Sequence, residues 1–127
     1  MTMLDLPEIN TAELRSESSL AAHAIQVRLA GSAESFAKTD LDALLKGVHE
    51  EALRREIREV VVDMRELEFM NSSCFKAFVS WIGHDEELDP TLQYKIRILS
   101  HQAKHWQKRS LGALACFAAD LIRVETS

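Results

Sequence analysis

Only two cysteines occur in the 127 residues, Cys74 and Cys116. They are far apart and without metal-ligand spacing. Neither a disulfide framework nor a zinc site is expected, and a reducing cytoplasm is the expected setting. Glycine is also scarce, four in all, and nothing resembles a glycine-rich phosphate loop, so no nucleotide cofactor is expected. No apolar run approaches the roughly 18 residues that cross a bilayer, and no basic-then-apolar stretch opens the sequence. Membrane insertion is therefore not expected. The first residues are polar and acidic instead, with Asp5, Glu8, Glu13 and Glu17. A formal net charge of −5 argues against nucleic acid as a partner. Internal repeats and low-complexity segments are absent.

What is present fits one globular domain large enough to bury a single core. Residues 1–21 are rich in Ser and Glu with little periodicity, and read as a flexible tail or a poorly fixed first strand. The domain proper is then 22–127. Residues 23–30 alternate, with Ile25, Val27 and Leu29 on one side, and stop at Gly31-Ser32: a half-buried strand. Lys38-Thr39-Asp40 offers helix-start chemistry, and Leu41, Leu44, Leu45, Val48 and Leu53 follow at helical spacing. Glu51 and Arg55 are four apart and are expected to pair on the wet face of that helix.

Residues 59–64 form a β-branched run without polar alternation, the pattern of a strand covered on both faces. A short linker and the pair Phe69-Met70 lead to a polar step, Asn71-Ser72-Ser73. A helix is predicted over 73–88, with Phe75, Phe78, Val79 and Ile82 on one side, ended by Asp89-Pro90. Residues 94–99 alternate again through Tyr94, Ile96 and Ile98. A helix over 103–118 carries Trp106, Leu111, Leu114 and Phe117 on its apolar side, and 121–124 is a last short strand. Strands separated by helices imply mostly parallel pairing through crossovers.

The stretch 59–81, EVVVDMRELEFMNSSCFKAFVSW, resembles the STAS domain, the fold of bacterial anti-sigma factor antagonists. In that family a strand reading roughly "vvlDl" is followed by a linker and an "f-D-S-S-G" step that opens a helix. The matching residues are Val60, Val61, Val62, Asp63 and Met64, then Phe69-Met70, then Asn71-Ser72-Ser73-Cys74. The resemblance extends over about residues 22–125. It implies a single α/β domain, a small mixed and mostly parallel sheet with helices mainly on one face. It also implies bacterial signalling by protein–protein interaction. The partner would be an anti-sigma factor or a switch-protein serine kinase, exchanged by serine phosphorylation. Ser72 takes the place of the family's phosphorylated serine, and Ser73 is the second candidate. Asn71, Ser72, Ser73, Cys74, Phe75 and Lys76 form the expected contact. Two departures stand out: Asn71 replaces an aspartate and Cys74 a glycine.

Each candidate also has a plainer role. Asn71 or Ser72 can simply cap the helix, a common device that contributes about 1 kcal/mol. Without phosphorylation the domain would be a permanent scaffold subunit of a sensory or transporter complex, and the uncharged Asn71 favours that. A thiol near a helix start invites a third reading, a small enzyme using Cys74. Nothing in the sequence brings His84, His101 or His105 to it, and a small packed residue is expected there, so no catalytic residue is assigned. Cys116 is expected in the core. Lys104, His105, Lys108 and Arg109 read as the solvated face of the last helix. Trp81 reads as half-buried core, and the run from His84 to Glu87 as a charged helix end without metal spacing.

Overall fold

A computed structural model describes residues 4–127. Five strands form one sheet in the order β1-β2-β3-β4-β5: β1 Leu14–Ala21, β2 Ala24–Ala33, β3 Glu59–Met70, β4 Lys95–Ser100 and β5 Ile122–Thr126. The β1–β2 pair is antiparallel and every other pair parallel. Three helices make the crossovers: α1 Lys38–Arg54, α2 Ser72–Glu86 and α3 His105–Phe117. The strands advance in one direction across the sheet. Right-handed crossovers then place all three helices on the same face, and the mostly parallel α/β architecture expected from the sequence is the one observed.

The core lies between that face and the helices. Ile25, Val27, Leu29, Val60, Val62, Ile96 and Ile98 meet Leu41, Leu44, Val48, Phe78, Trp81, Ile82, Leu111 and Leu114. The unbroken run Val60, Val61, Val62 is buried throughout, but not between two helix layers. Val61 points away from the helices and lies outside the core cluster. It sits in register between Gln26 and Arg97, whose long side chains flank it on the open face.

β1 falls within the stretch 1–21 that the sequence set apart. It pairs with β2 along its whole length. Leu14 and Ser16 point into the protein, and Ser16 Oγ accepts the Ile9 N–H at 2.8 Å, so a serine can occupy an inward position. Gly31 explains the close approach of this strand. Its φ is +106°, and a Cβ there would lie 2.1 Å from the Glu13 carbonyl oxygen.

Four residues lie elsewhere than the sequence pattern placed them, and one of them, Leu53, counted with the apolar series of α1, is exposed. Glu51 is on the inward stripe of α1, not on its wet face, and is buried. Its carboxylate accepts the Asp5 N–H at 2.7 Å and pairs with Arg54 and with Arg55, 3.4 Å away. Those partners, the Asp5 N–H first, hold its pKa below the usual range against the pull of burial. Cys116 is exposed, and Phe117 is half exposed. The inward stripe of α3 runs through Gln107, Leu111 and Leu114 to Ala118, and both residues fall beside it.

Candidate functional site

The candidate site is built where β3 hands over to α2. The stretch after Met64, expected as a linker, continues as strand to Met70 and pairs with Ala30 to Ala33 of β2. It does so through two irregularities, between Arg28 and Ala30 and between Gly31 and Ser32 on the partner strand. The first lets Met64 and Leu67, three apart, both face the core. Asp63 stabilises the bulge by accepting the Arg65 N–H at 3.0 Å and its guanidinium at 2.9 and 3.0 Å. The Arg65 guanidinium is the main cause of the lowered Asp63 pKa. From the other side, buried Gln107 of α3 donates to the Met64 carbonyl at 2.6 Å and the Leu67 carbonyl at 3.2 Å. The strand therefore delivers a fixed end to the junction.

At that junction Asn71 has extended backbone, φ −79° and ψ 169°. Its N–H donates to the Ala33 carbonyl at 2.9 Å, and its own carbonyl accepts the Phe75 N–H at 3.0 Å, the first bond of the helix. Its side-chain Oδ1 accepts the Cys74 N–H at 3.0 Å. Asn71 is thus the cap, and Ser72 is the first helical residue. Ser72 is exposed, and its hydroxyl enters no hydrogen bond among the described residues. Lys76, one turn on, is also exposed, on the same face of α2. Ser73 and Phe75 are half-buried, and Phe75 packs against the core.

Cys74 is fully buried, and its thiol donates to the Glu34 carbonyl at 3.2 Å. Burial pushes its pKa up, the opposite of what a nucleophilic thiol needs. The hydrogen bond ties α2 to the turn Ser35–Ala37 that precedes α1. On that turn Phe36 is 60 % exposed, and Phe69, three residues before Ser72, is 42 % exposed. The sequence reading missed Phe36. The available signal was an aromatic residue stranded among Glu34, Ser35, Lys38 and Thr39.

The remaining candidates sit apart from this junction. Trp81 is buried, and its Nε1–H donates to the Tyr94 hydroxyl at 2.8 Å. That hydroxyl also meets His49 Nδ1 at 2.7 Å, beneath a cavity of about 380 Å³ between α1 and α2. Burial, then the nearby His84, lowers the His49 pKa. Asp85, in the last turn of α2, is fully buried; Oδ1 accepts the Tyr94 N–H at 3.1 Å and Oδ2 has no partner among the described residues. Burial raises its pKa to about 6. Lys104 pairs with Glu68 at 2.7 Å, while His105, Lys108 and Arg109 are exposed. Among the described residues no group of three or more His, Cys, Asp or Glu side chains could hold a metal, and no helix is long and apolar enough to cross a membrane.

No protein-family model and no curated protein sequence matches the chain. Solved structures do. An anti-sigma factor antagonist from Mycobacterium paratuberculosis superposes with a TM-score of 0.63 over 82 % of this chain and 81 % of its own, at 13 % identity. The STAS domain of an antisigma-factor antagonist from Rhodobacter sphaeroides superposes with a TM-score of 0.51 over 68 % of this chain and 86 % of its own, at 17 % identity. The fold is that of a STAS domain.

Proposed function

We propose that this domain is a regulatory protein-interaction module of the anti-sigma factor antagonist type, working in the bacterial cytoplasm by binding and not by turnover. Its partner is an anti-sigma factor or a switch-protein serine kinase. The partner docks on the start of α2, against Asn71, Ser72, Ser73 and Lys76, with Phe75 and the exposed rings of Phe36 and Phe69 as flanking apolar contacts. Cys74 supports that surface from below. The observation that carries the reading is the division of labour at the helix start: Asn71 makes the cap, so the Ser72 hydroxyl is exposed and unoccupied. A phosphate on Ser72 would add up to about two negative charges. The helix would tolerate them, because the N–H groups of Ser72 and Ser73 and the positive end of the helix dipole face it. The partner would not, because it would have to desolvate them.

The test is binding of a candidate anti-sigma factor to wild type, Ser72→Ala and Ser72→Glu, together with intact-mass analysis after incubation with the kinase and ATP. The expected result is one phosphate on wild type, none on Ser72→Ala, and weaker binding by Ser72→Glu with its fold intact. Equal affinity for all three proteins and no mass gain would overturn the switch. Asn71 favours a second reading in that case. An amide has no charge with which to orient the serine or hold a magnesium ion, so the domain would be a permanently bound scaffold subunit using the same surface.

A further inference from the structure

The two edges of the sheet are finished differently. The outer side of β1 is covered at its start by the chain itself: the Thr11 N–H donates to the Leu14 carbonyl at 2.9 Å, the Ser16 N–H to the Ile9 carbonyl at 2.8 Å, and Asn10 bridges Arg15. The outer side of β5 pairs with nothing among the described residues. An uncovered edge is a template for another strand.

The groups that β5 presents follow from its bonds to β4. The Leu121 carbonyl accepts the Ile96 N–H at 2.8 Å, the Glu125 carbonyl accepts the Ser100 hydroxyl at 3.3 Å, and the Ser127 N–H donates to the Ser100 carbonyl at 3.1 Å. Odd-numbered residues therefore aim their backbone groups at β4. By the alternation of a ladder, Ile122, Val124 and Thr126 aim theirs outward. The Ile122 N–H is already used by the Ala118 carbonyl at 3.0 Å. Both backbone groups of Val124 remain free for a neighbour. Arg123 and Glu125 project from the open face of the sheet and are exposed, while Ile122 and Val124 turn toward the core. Glu125 is 4.0 Å from Arg97, and Arg123 has no ion pair among the described residues.

We infer that β5 is a self-pairing edge: two copies of this chain join antiparallel about a two-fold axis through Val124, making one continuous sheet. In that register the two Val124 residues exchange both backbone hydrogen bonds. Arg123 of each copy lies opposite Glu125 of the other, twice, at the closely spaced non-hydrogen-bonded positions. Moving the axis by one residue puts Arg123 against Arg123 or Glu125 against Glu125, and centres the pairing on residues whose backbone groups face β4. The same five-residue strand thus favours one register and disfavours its neighbours. A strand this short makes a small interface, so the dimer is weak and depends on concentration.

Sedimentation equilibrium across a dilution series tests this, with circular dichroism as the check on folding. Wild type should show a reversible monomer–dimer equilibrium. Val124→Pro removes the outward N–H at an edge position that accepts proline, together with part of a side chain packed against the core. It should leave a folded monomer, which circular dichroism checks, while the charge reversals test the pairing without touching the core. Arg123→Glu and Glu125→Arg should each weaken the dimer by about tenfold or more, since two attractive pairs become repulsive. Mixed together, the two single variants should associate about as well as wild type, because every charge then faces its opposite. A wild type that stays monomeric at all concentrations would overturn the inference. So would a dimer that survives Val124→Pro, or one indifferent to both charge reversals.

Discussion

Helices α2 and α3 begin in opposite ways. The start of α2 is settled locally: Asn71 supplies an extended residue and a side-chain oxygen for the Cys74 N–H, within four residues of sequence. The start of α3 has no side-chain cap; Lys104 precedes it with φ −93° and ψ 88°, and Lys108 and Arg109 lie near the end of the helix where positive charge is unfavourable. Tertiary bonds hold it instead. Gln107 spans the bulge carbonyls of β3 and accepts the His101 N–H at 2.9 Å, and Lys104 pairs with Glu68. One helix start is therefore written in adjacent residues. The other is written in a strand some forty residues earlier.

Removing the long-range support should have the largest effect. Gln107→Ala leaves the buried Met64 and Leu67 carbonyls without their donor, and frees the part-buried His101 N–H; an expected loss of about 3 kcal/mol follows from the cost of buried unsatisfied groups. Urea unfolding monitored by circular dichroism would measure it. A loss no larger than that of an ordinary surface substitution would mean that water replaces the side chain.

The far end of α2 offers a pH-dependent contrast. Asp85 is buried with one oxygen unpaired, and its pKa is raised from 3.8 to about 6, by burial first and by Glu86 after it, with the Tyr94 N–H and Lys95 opposing. A folded-state pKa above the unfolded one favours the folded state in acid. Its contribution is complete below about pH 4 and is lost as pH rises through about 6. Glu51 and Asp63, with lowered values, act in the opposite sense and gain stability as pH rises through the carboxylate range. His49, with its lowered value, loses stability as pH falls below about 6.5. The difference between wild type and Asp85→Asn isolates the aspartate. That difference should change by on the order of 2 kcal/mol between pH 4 and 7, with wild type relatively more stable at the acid end.

The local cap gives the smallest and most discriminating pair. Asn71→Ala should cost about 1 kcal/mol, and Ser72→Ala less than about 0.5 kcal/mol, because only the first side chain bonds the helix. Thermal unfolding of the two variants side by side would show it. The reverse order would make Ser72 the cap, and its hydroxyl would no longer be spare.

The same distinction explains what could be read from the sequence. The run Val60, Val61, Val62, the alternation from Tyr94 to Leu99 and the leucines of α1 are short-range periodicities, and the sheet and helices they predict are present. The polar step at Asn71-Ser72-Ser73 marked the α2 start but left the capping residue open between Asn71 and Ser72, and the bond to Cys74 decides it. The extension of β3 to Met70 was hidden. Its bulges break the period of two, and its support comes from Gln107, a polar residue at a core-facing helical position. Cys116 and Phe117 mislead for a related reason, since a few degrees of rotation about α3 decide which apolar residues reach the core. Phe36 belongs to a turn, where no period points to it.

The strand order also has a consequence in time. Each strand neighbours the one made just before it, so no strand must be inserted between two that are already paired. A chain emerging from the ribosome at about 5–20 residues per second can first close the β1–β2 hairpin, then add β3, β4 and β5 in turn, each with its helix, at the growing edge. At every stage the surface awaiting cover is the one the next segment will occupy. The open interval is longest before β3, because α1 must be completed before β2 gains its parallel neighbour.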